Sequence, residues 1–135
     1  LALLKLGKIT DRKAFTQAAE KSLDLFAHRL HQVPQAVPCM LQALDFSLDE
    51  PWRAVVAAAS ASPKARALLH AIHSVYQPNK VVLGHTGPVE PFAKTLPAKG
   101  GPVVYLCSGT ACQPPTNDET RVKELLTGKA PAKAP

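Results

Sequence analysis

The run AVVAA, Ala54 to Ala58, is where the chain changes from a helical pattern to a strand pattern. It is short and almost continuously apolar, which is typical of a β-strand buried on both faces. Two later runs have the same character, KVVLGH from Lys80 to His85 and PVVYLC from Pro102 to Cys107. We therefore predict three strands that lie inside the protein.

Helix signals lie between and after these runs. Ser62 is a good N-cap with Pro63 at the first helical position, and the helix that follows extends to about Gln77. The segment from Thr116 to Glu119 predicts a capping box that opens the last helix. The order strand, helix, strand, crossing, strand, helix predicts an α/β fold, with a small three-stranded parallel sheet and flanking helices in residues 51–128.

The first 50 residues predict a separate helical segment. Residues 7–11 end a first helix, and residues 12–32 have the three- and four-residue apolar spacing of a long amphipathic helix. A third helix begins at Pro38, and its apolar face is predicted to consist of Met40, Leu41, Leu44 and Leu48. The boundary between the two domains is placed after residue 50, and residues 129–135, KAPAKAP, predict a disordered tail.

Composition and charge argue against a membrane-spanning protein, a nucleic-acid-binding protein and a disulfide-rich secreted protein. The chain has 135 residues, of which 46% are hydrophobic, and no apolar run approaches the ~20 residues of a membrane span. The net charge is +6, but the basic residues are scattered and aromatics are only 5%, so we expect no binding to nucleic acid or membranes. The odd count of three cysteines favours a reducing, cytoplasmic setting, with Cys39 as a small buried side chain.

The edge of the predicted sheet is the expected place for a ligand. Ligands of parallel α/β sheets bind beyond the carboxyl ends of the strands. Those ends are marked here by residues 59–60, 84–86 and 107–109. We therefore expect the cysteine loop to meet His85 at one edge, with His85 as an acid–base partner of the candidate thiols Cys107 and Cys112.

Two hypotheses assign chemistry to the cysteines as a pair. Because Cys107 and Cys112 lie five positions apart on a tight loop, their Cα atoms could approach the ~5.5 Å of a disulfide, which would permit thiol redox chemistry. A zinc site needs three or four ligands, and His85 would supply only a third, so we predict no metal and no cofactor. The histidine pairs at 28 and 31 and at 70 and 73 are predicted to face solvent.

Two other hypotheses concern the loop itself. Ser108, Gly109 and Thr110 could turn backbone amides inward and bind a ligand, as in rhodanese-like or phosphatase loops. Those loops carry an arginine five or six positions after the cysteine, where this chain has Cys112 and Gln113. Alternatively the loop is structural, and its packed thiols anchor the last helix against the third strand.

Four stretches, in this order, carry a resemblance to a known family: KITDRKAFTQAAEKSLDLFAHRL, VPQAVPCMLQALDFSL, PWRAVVAAA and VVYLCSGTACQPPTND. They resemble the C-terminal portion of the thioredoxin-domain-containing family that includes the spermatogenesis-associated thioredoxin-like protein. The match covers Leu1 to Leu126. Its most specific element is the pattern Cys-x4-Cys-x-Pro at Cys107, Cys112 and Pro114.

The resemblance implies an architecture more than a reaction. Proteins of that family look like a thioredoxin-like domain, then an α/α toroid similar to N-acylglucosamine 2-epimerases, then a small α/β piece. The resemblance implies that residues 1–50 end the toroid, that the chain is a fragment, and that its partners are the N-terminal domains of the parent protein.

The expected function is a structural or interaction module that is not catalytic on its own, and exposed helix faces could also mediate self-association. The alternatives are a thiol-redox or ligand-binding site on the cysteine loop, and a contribution to a carbohydrate-processing toroid.

Overall fold

A computed structural model describes residues 1–98 and 100–128 of the chain. These residues form two compact units, residues 1–50 and residues from 51 onward. We call them the helical unit and the α/β unit. The tail predicted for residues 129–135 lies outside the described residues.

The helical unit contains three α-helices and one short 3-10 helix. Helix α1 spans Ala2–Thr10, α2 spans Lys13–Gln32, the 3-10 helix spans Pro34–Ala36, and α3 spans Pro38–Leu48. Both of the last two elements begin with proline, whose fixed φ and missing N–H suit a first helical position. The three α-helices pack against one another around Leu4, Leu23 and Phe46.

Gly7 lies inside α1, so the prediction that the first helix stops there is wrong. The helix continues to Thr10 and ends at Asp11, which has the left-handed φ of 58° typical of a helix end. A Cβ atom on Gly7 would overlap the Thr16 side chain. This glycine therefore permits the close approach of α1 and α2, and it does not end a helix.

In the described part of the α/β unit, a four-stranded sheet is accompanied by three helices. Its elements, in chain order, are β1 (Trp52–Ala57), α4 (Pro63–Ser74), β2 (Lys80–Gly84), α5 (Pro91–Thr95), β3 (Val103–Ser108), β4 (Ala111–Cys112) and α6 (Glu119–Thr127). The α/β class and the three predicted strands are confirmed. Asp118, rather than Thr116, is the N-cap of the last helix, and Thr116 instead forms a β-bridge with Val104.

The predicted all-parallel sheet is wrong in the direction of β3. The strand order is β2-β1-β3-β4; β1 and β2 are parallel, whereas β3 is antiparallel to both β1 and β4. A parallel β3 would need a connection that returns the chain across the sheet, usually on a full helix. The only helix in the described residues of this connection, 85–98 and 100–102, is the five-residue α5, and the connection brings β3 in at the end of the sheet where β2 finishes.

The two faces of the sheet carry different side chains, because successive residues of a strand alternate in direction. On one face, Trp52, Ala54 and Val56 join the main core. That core also contains residues of β3, α4 and α6: Leu68, Ala71, Ile72, Val104, Leu106, Val122 and Leu126. The opposite face carries Arg53 and Cys107, which are directly paired across β1 and β3.

Within the described ranges, no helix has both the length and the apolar character needed to cross a bilayer.

Candidate functional site

The cysteine loop is the turn of a β-hairpin. Strands β3 and β4 pair antiparallel, with Ser108 opposite Ala111, so Gly109 and Thr110 form a two-residue turn. Gly109 has φ of 56°, which the first central position of such a turn requires and glycine adopts without strain. We call residues 107–112 the cysteine hairpin.

Cys107 and Cys112 form a disulfide bond. The two residues are direct partners in the β3–β4 register, and the Gln113 N–H donates to the Leu106 carbonyl oxygen at 2.8 Å. This places the cysteines at a non-hydrogen-bonded pair, where facing side chains approach most closely. Cys107 is completely buried whereas Cys112 is exposed, so solvent reaches the disulfide from the Cys112 side.

Arg53 holds the turn of the hairpin to the sheet. Its guanidinium donates to the Gly109 carbonyl oxygen at 2.6 Å and to both carboxylate oxygens of Glu90 at 2.8 Å. It also lies 5.9 Å from the centre of the Phe92 ring, within the range of a cation–π contact. The side chains of Arg53 and Glu90 are 17% and 11% exposed, so this ion pair is largely screened from water.

Sequence reasoning missed Arg53 and Glu90 as parts of this site. The signal was present as a single charged residue in the apolar strand WRAVVA and a single carboxylate in HTGPVEPF. A charge on a strand buried on both faces needs a partner, since an unpaired buried charge is costly. The partner lies 37 positions away and could not be identified from spacing.

The ligand-binding role predicted for Ser108, Gly109 and Thr110 stays a prediction. The structure puts all three in or beside the hairpin turn, where the backbone pairs Ser108 with Ala111. The Gly109 group that faces Arg53 is its carbonyl oxygen, which is an acceptor and not an anion-binding N–H.

The expectation that His85 meets the cysteines is wrong, because β3 is antiparallel. Cys107 pairs with Arg53 at the beginning of β1, whereas the Ala58 N–H, just past the end of β1, donates to His85 Nδ1 at 3.3 Å. Arg53 and Ala58 are five residues apart, which is roughly 16 Å in an extended strand. His85 is therefore not an acid–base partner or a metal ligand beside these thiols.

Across residues 1–98 and 100–128, no cluster of three or more histidine, cysteine or acidic side chains could hold a metal ion. The histidines at positions 28, 31, 70 and 73 are exposed, as predicted. Cys39, predicted to be buried, is instead an exposed free cysteine. It lies at the second position of α3, and the buried side chains of that helix are Ala43 and Phe46.

Comparisons with known proteins identify relatives that are much longer than the aligned region. The chain is 30% identical over 132 residues to spermatogenesis-associated protein 20 of Homo sapiens, and 29% and 28% identical to the proteins of that name from Rattus norvegicus and Mus musculus. Each alignment covers 92% of this chain but only 17% of the relative. No family model matches the chain. No solved structure matches it either.

Proposed function

We propose that this chain, a homologue of spermatogenesis-associated protein 20, serves as a C-terminal structural and interaction module of a larger protein of the thioredoxin-domain-containing family. Its partner is the remainder of that larger protein, and the helical unit supplies the contact surface. The reaction of the whole protein is not assigned to these residues.

The observation that carries this proposal is an apolar stripe on α3 that is only partly covered. Leu41, Leu44 and Leu48 are spaced three and four residues apart, so they share one face of the helix. Leu41 is 37% exposed and Leu48 is 80% exposed, whereas Leu44 is half-buried and Ala43 and Phe46 enter the core. Helix α3 thus has a second apolar face, which we call the outer stripe.

The other helices of the helical unit also expose large apolar side chains. Among the described residues, eleven large apolar side chains are exposed, and eight of them lie in residues 1–50: Leu1, Leu3, Leu6, Leu25, Phe26, Val33, Leu41 and Leu48. Single exposed apolar residues are ordinary, but a concentration of them marks an interaction surface. A unit of about 50 residues with few large buried side chains also gains little stability from its own core. A partner that covers these side chains would supply the additional burial.

The test is to replace outer-stripe leucines with glutamine, which has a similar helix propensity. We expect Leu41→Gln with Leu48→Gln to change the unfolding free energy of the isolated chain by no more than roughly 0.5 kcal/mol per site, as for surface residues. In the longest natural protein that contains this sequence, the same pair should destabilise by about 1.5–3 kcal/mol per leucine, because a buried contact is lost.

The matched control is Tyr76→Gln, which alters the most exposed large apolar residue of the α/β unit, at 93% exposure. It should leave both proteins unchanged. Equal effects of the leucine variants in the short and long proteins would contradict the proposal. So would a dimer of the isolated chain that the leucine variants convert to monomer, because the occupant of the stripe would then be a second copy.

A second candidate function is thiol–disulfide exchange at the cysteine hairpin, which the exposure of Cys112 favours. An external thiolate would attack Cys112 Sγ, and the electron pair of the broken S–S bond would pass to Cys107 Sγ. A second thiol of the same dithiol would then displace Cys112 and form the disulfide of the external partner. His85 has no part in this scheme.

Single-cysteine variants test the direction of attack. In a Cys39→Ser background, we expect Cys107→Ser, which leaves Cys112 free, to react with Ellman's reagent at least about tenfold faster than Cys112→Ser, because burial protects Cys107. Equal rates would exclude selective attack at Cys112.

A second measurement separates exchange from a structural clamp. Exchange requires that dithiothreitol reduce the intact disulfide while the near-ultraviolet circular dichroism of the fold persists. Loss of that signal on reduction would instead make the disulfide a structural clamp.

A further inference from the structure

A groove lies at the end of the sheet opposite the cysteine hairpin. It occupies about 450 Å³ between α4 and the edge strand β2. Volumes of this order are typical of small-molecule sites. Its apolar wall includes Val56 of β1, Leu69 of α4 and Val82 of β2.

The polar end of the groove is formed where β1 and β2 finish. Ser60, His85 and Thr86 line it, and none of the described residues that line the groove is acidic. Strands β1 and β2 are parallel neighbours, so their carboxyl ends lie side by side. This is the position at which open α/β sheets bind ligands.

One hydrogen bond determines which ring nitrogen of His85 can donate to a ligand. Because the Ala58 N–H donates to Nδ1, that nitrogen acts as an acceptor, and the neutral imidazole carries its proton on Nε2. His85 can therefore donate a hydrogen bond through Nε2–H without disturbing its contact with the backbone. A ligand group that meets this nitrogen must be an acceptor.

Helix α4 adds a favourable field to the same end of the groove. It begins at Pro63 after the N-cap Ser62, and Ala65 in its first turn lines the groove. The N-terminus of a helix carries a partial positive charge that favours anions. With no carboxylate in the lining, the groove is suited to an anionic acceptor.

We propose that this groove binds a small organic carboxylate with an apolar body. The carboxylate accepts hydrogen bonds from His85 Nε2–H and the Ser60 hydroxyl. The apolar body lies along Val56, Leu69 and Val82. This site is independent of the interaction surface on the helical unit and of the cysteine hairpin.

The test is titration of the 15N-labelled chain with 3-phenylpropanoate, followed by amide chemical shifts. We expect saturable shifts confined to residues 56–61, 65–73 and 82–86. The neutral amide 3-phenylpropanamide should bind at least about tenfold more weakly, since it lacks the charge that strengthens the hydrogen bonds. Inorganic phosphate should bind weakly as well, because it has no apolar body.

Substitutions in and beside the groove test which residues contact 3-phenylpropanoate. His85→Ala should weaken binding by about tenfold, as for loss of a hydrogen bond to a charged group. His70→Ala is the matched control, because His70 lies on α4 but does not line the groove, and it should bind as the wild type does. Leu69→Glu places a carboxylate on the exposed side of the groove and should abolish binding while preserving the fold.

The proposal is overturned if 3-phenylpropanoate gives no saturable shifts, or if it binds no better than the amide. It is also overturned if Leu69→Glu leaves the affinity unchanged.

Discussion

At the scale of single residues, Arg53 is the most consequential side chain of the α/β unit. It connects the beginning of β1, the long connection at Glu90 and the hairpin turn at Gly109. These contacts join three segments that are distant in sequence. An ion pair of this kind need not stabilise more than an apolar replacement of both partners, but removal of one partner leaves a desolvated charge.

We predict that Arg53→Met destabilises the protein by about 2–4 kcal/mol, because Glu90 loses its partner and Gly109 its donor. Glu90→Gln keeps an acceptor for the guanidinium and should cost less. The measurement is urea unfolding of both single variants and the double variant, which gives the coupling energy between the two side chains.

Arg121→Met is the control for this cycle. Arg121 and Glu124 also form an ion pair, but their side chains are 55% and 58% exposed. An exposed pair is worth about 0–1 kcal/mol, so this variant should be nearly neutral. If Arg53→Met were as mild as Arg121→Met, the hairpin would not depend on the Arg53 contacts.

At the scale of secondary-structure elements, helix α4 shows which features the sequence can predict. Its start is confirmed, because Ser62 Oγ accepts a hydrogen bond from the Ala65 N–H at 3.1 Å and Pro63 is the first helical residue. Its end comes earlier than predicted, at Ser74, and Lys80 of β2 donates to the carbonyl oxygens of Ile72 and Val75 there. A local cap is visible in the sequence, but a cap supplied by a later strand is not.

The predicted effect of the local cap is measurable. Ser62→Ala should destabilise the α/β unit by about 1 kcal/mol, because the Ala65 N–H loses its acceptor. Ser74→Ala is the control in the same helix; Ser74 donates to the Ala71 carbonyl oxygen at the helix end and caps no N–H group. Thermal unfolding should separate the two variants. An equal effect of both substitutions would show that the N-cap contributes no more than a helix-end hydroxyl.

The sheet shows why other features could not be predicted. Three of the four strands were identified from their apolar runs, since that signal is local, whereas the two-residue β4 has no such run. Strand direction depends on which segments pair, and β1 pairs with β3 across a connection whose course has no local signal. This one error placed Cys107 and Cys112 at the same end of the sheet as His85 and so misplaced the candidate site.

At the scale of the whole molecule, the two candidate sites of the α/β unit, the disulfide and the groove, lie far apart. The disulfide is at the end of the sheet where β1 begins, and the groove is at the end where β1 and β2 finish. Substitutions at well-separated sites without shared partners usually have additive effects. The experiments on the cysteines and on the groove therefore probe independent properties.

The helices of the helical unit could be predicted from the sequence, but which of their apolar faces are buried could not. Apolar spacing identified α2 and α3, yet α3 has apolar residues on two faces, and spacing alone could not decide which face is buried. Phe46 is buried in the core, whereas Leu41 and Leu48 of the outer stripe are exposed. The Phe46 ring also lies 5.6 Å from the Lys5 ammonium. Only the packed structure shows that Leu41 and Leu48 are left exposed.

The antiparallel pairing of β1 with β3 has a consequence during synthesis. While the chain emerges from the ribosome, the helical unit can form early, because its contacts lie within its own 50 residues. Strand β1 is the central partner of the sheet, but β3, which ends at Ser108, is made much later. Until then a nascent β1 and β2 have an unpaired edge, the kind of surface that chaperones protect. The sheet therefore reaches its full set of strands only after residues up to Cys112 have left the exit tunnel.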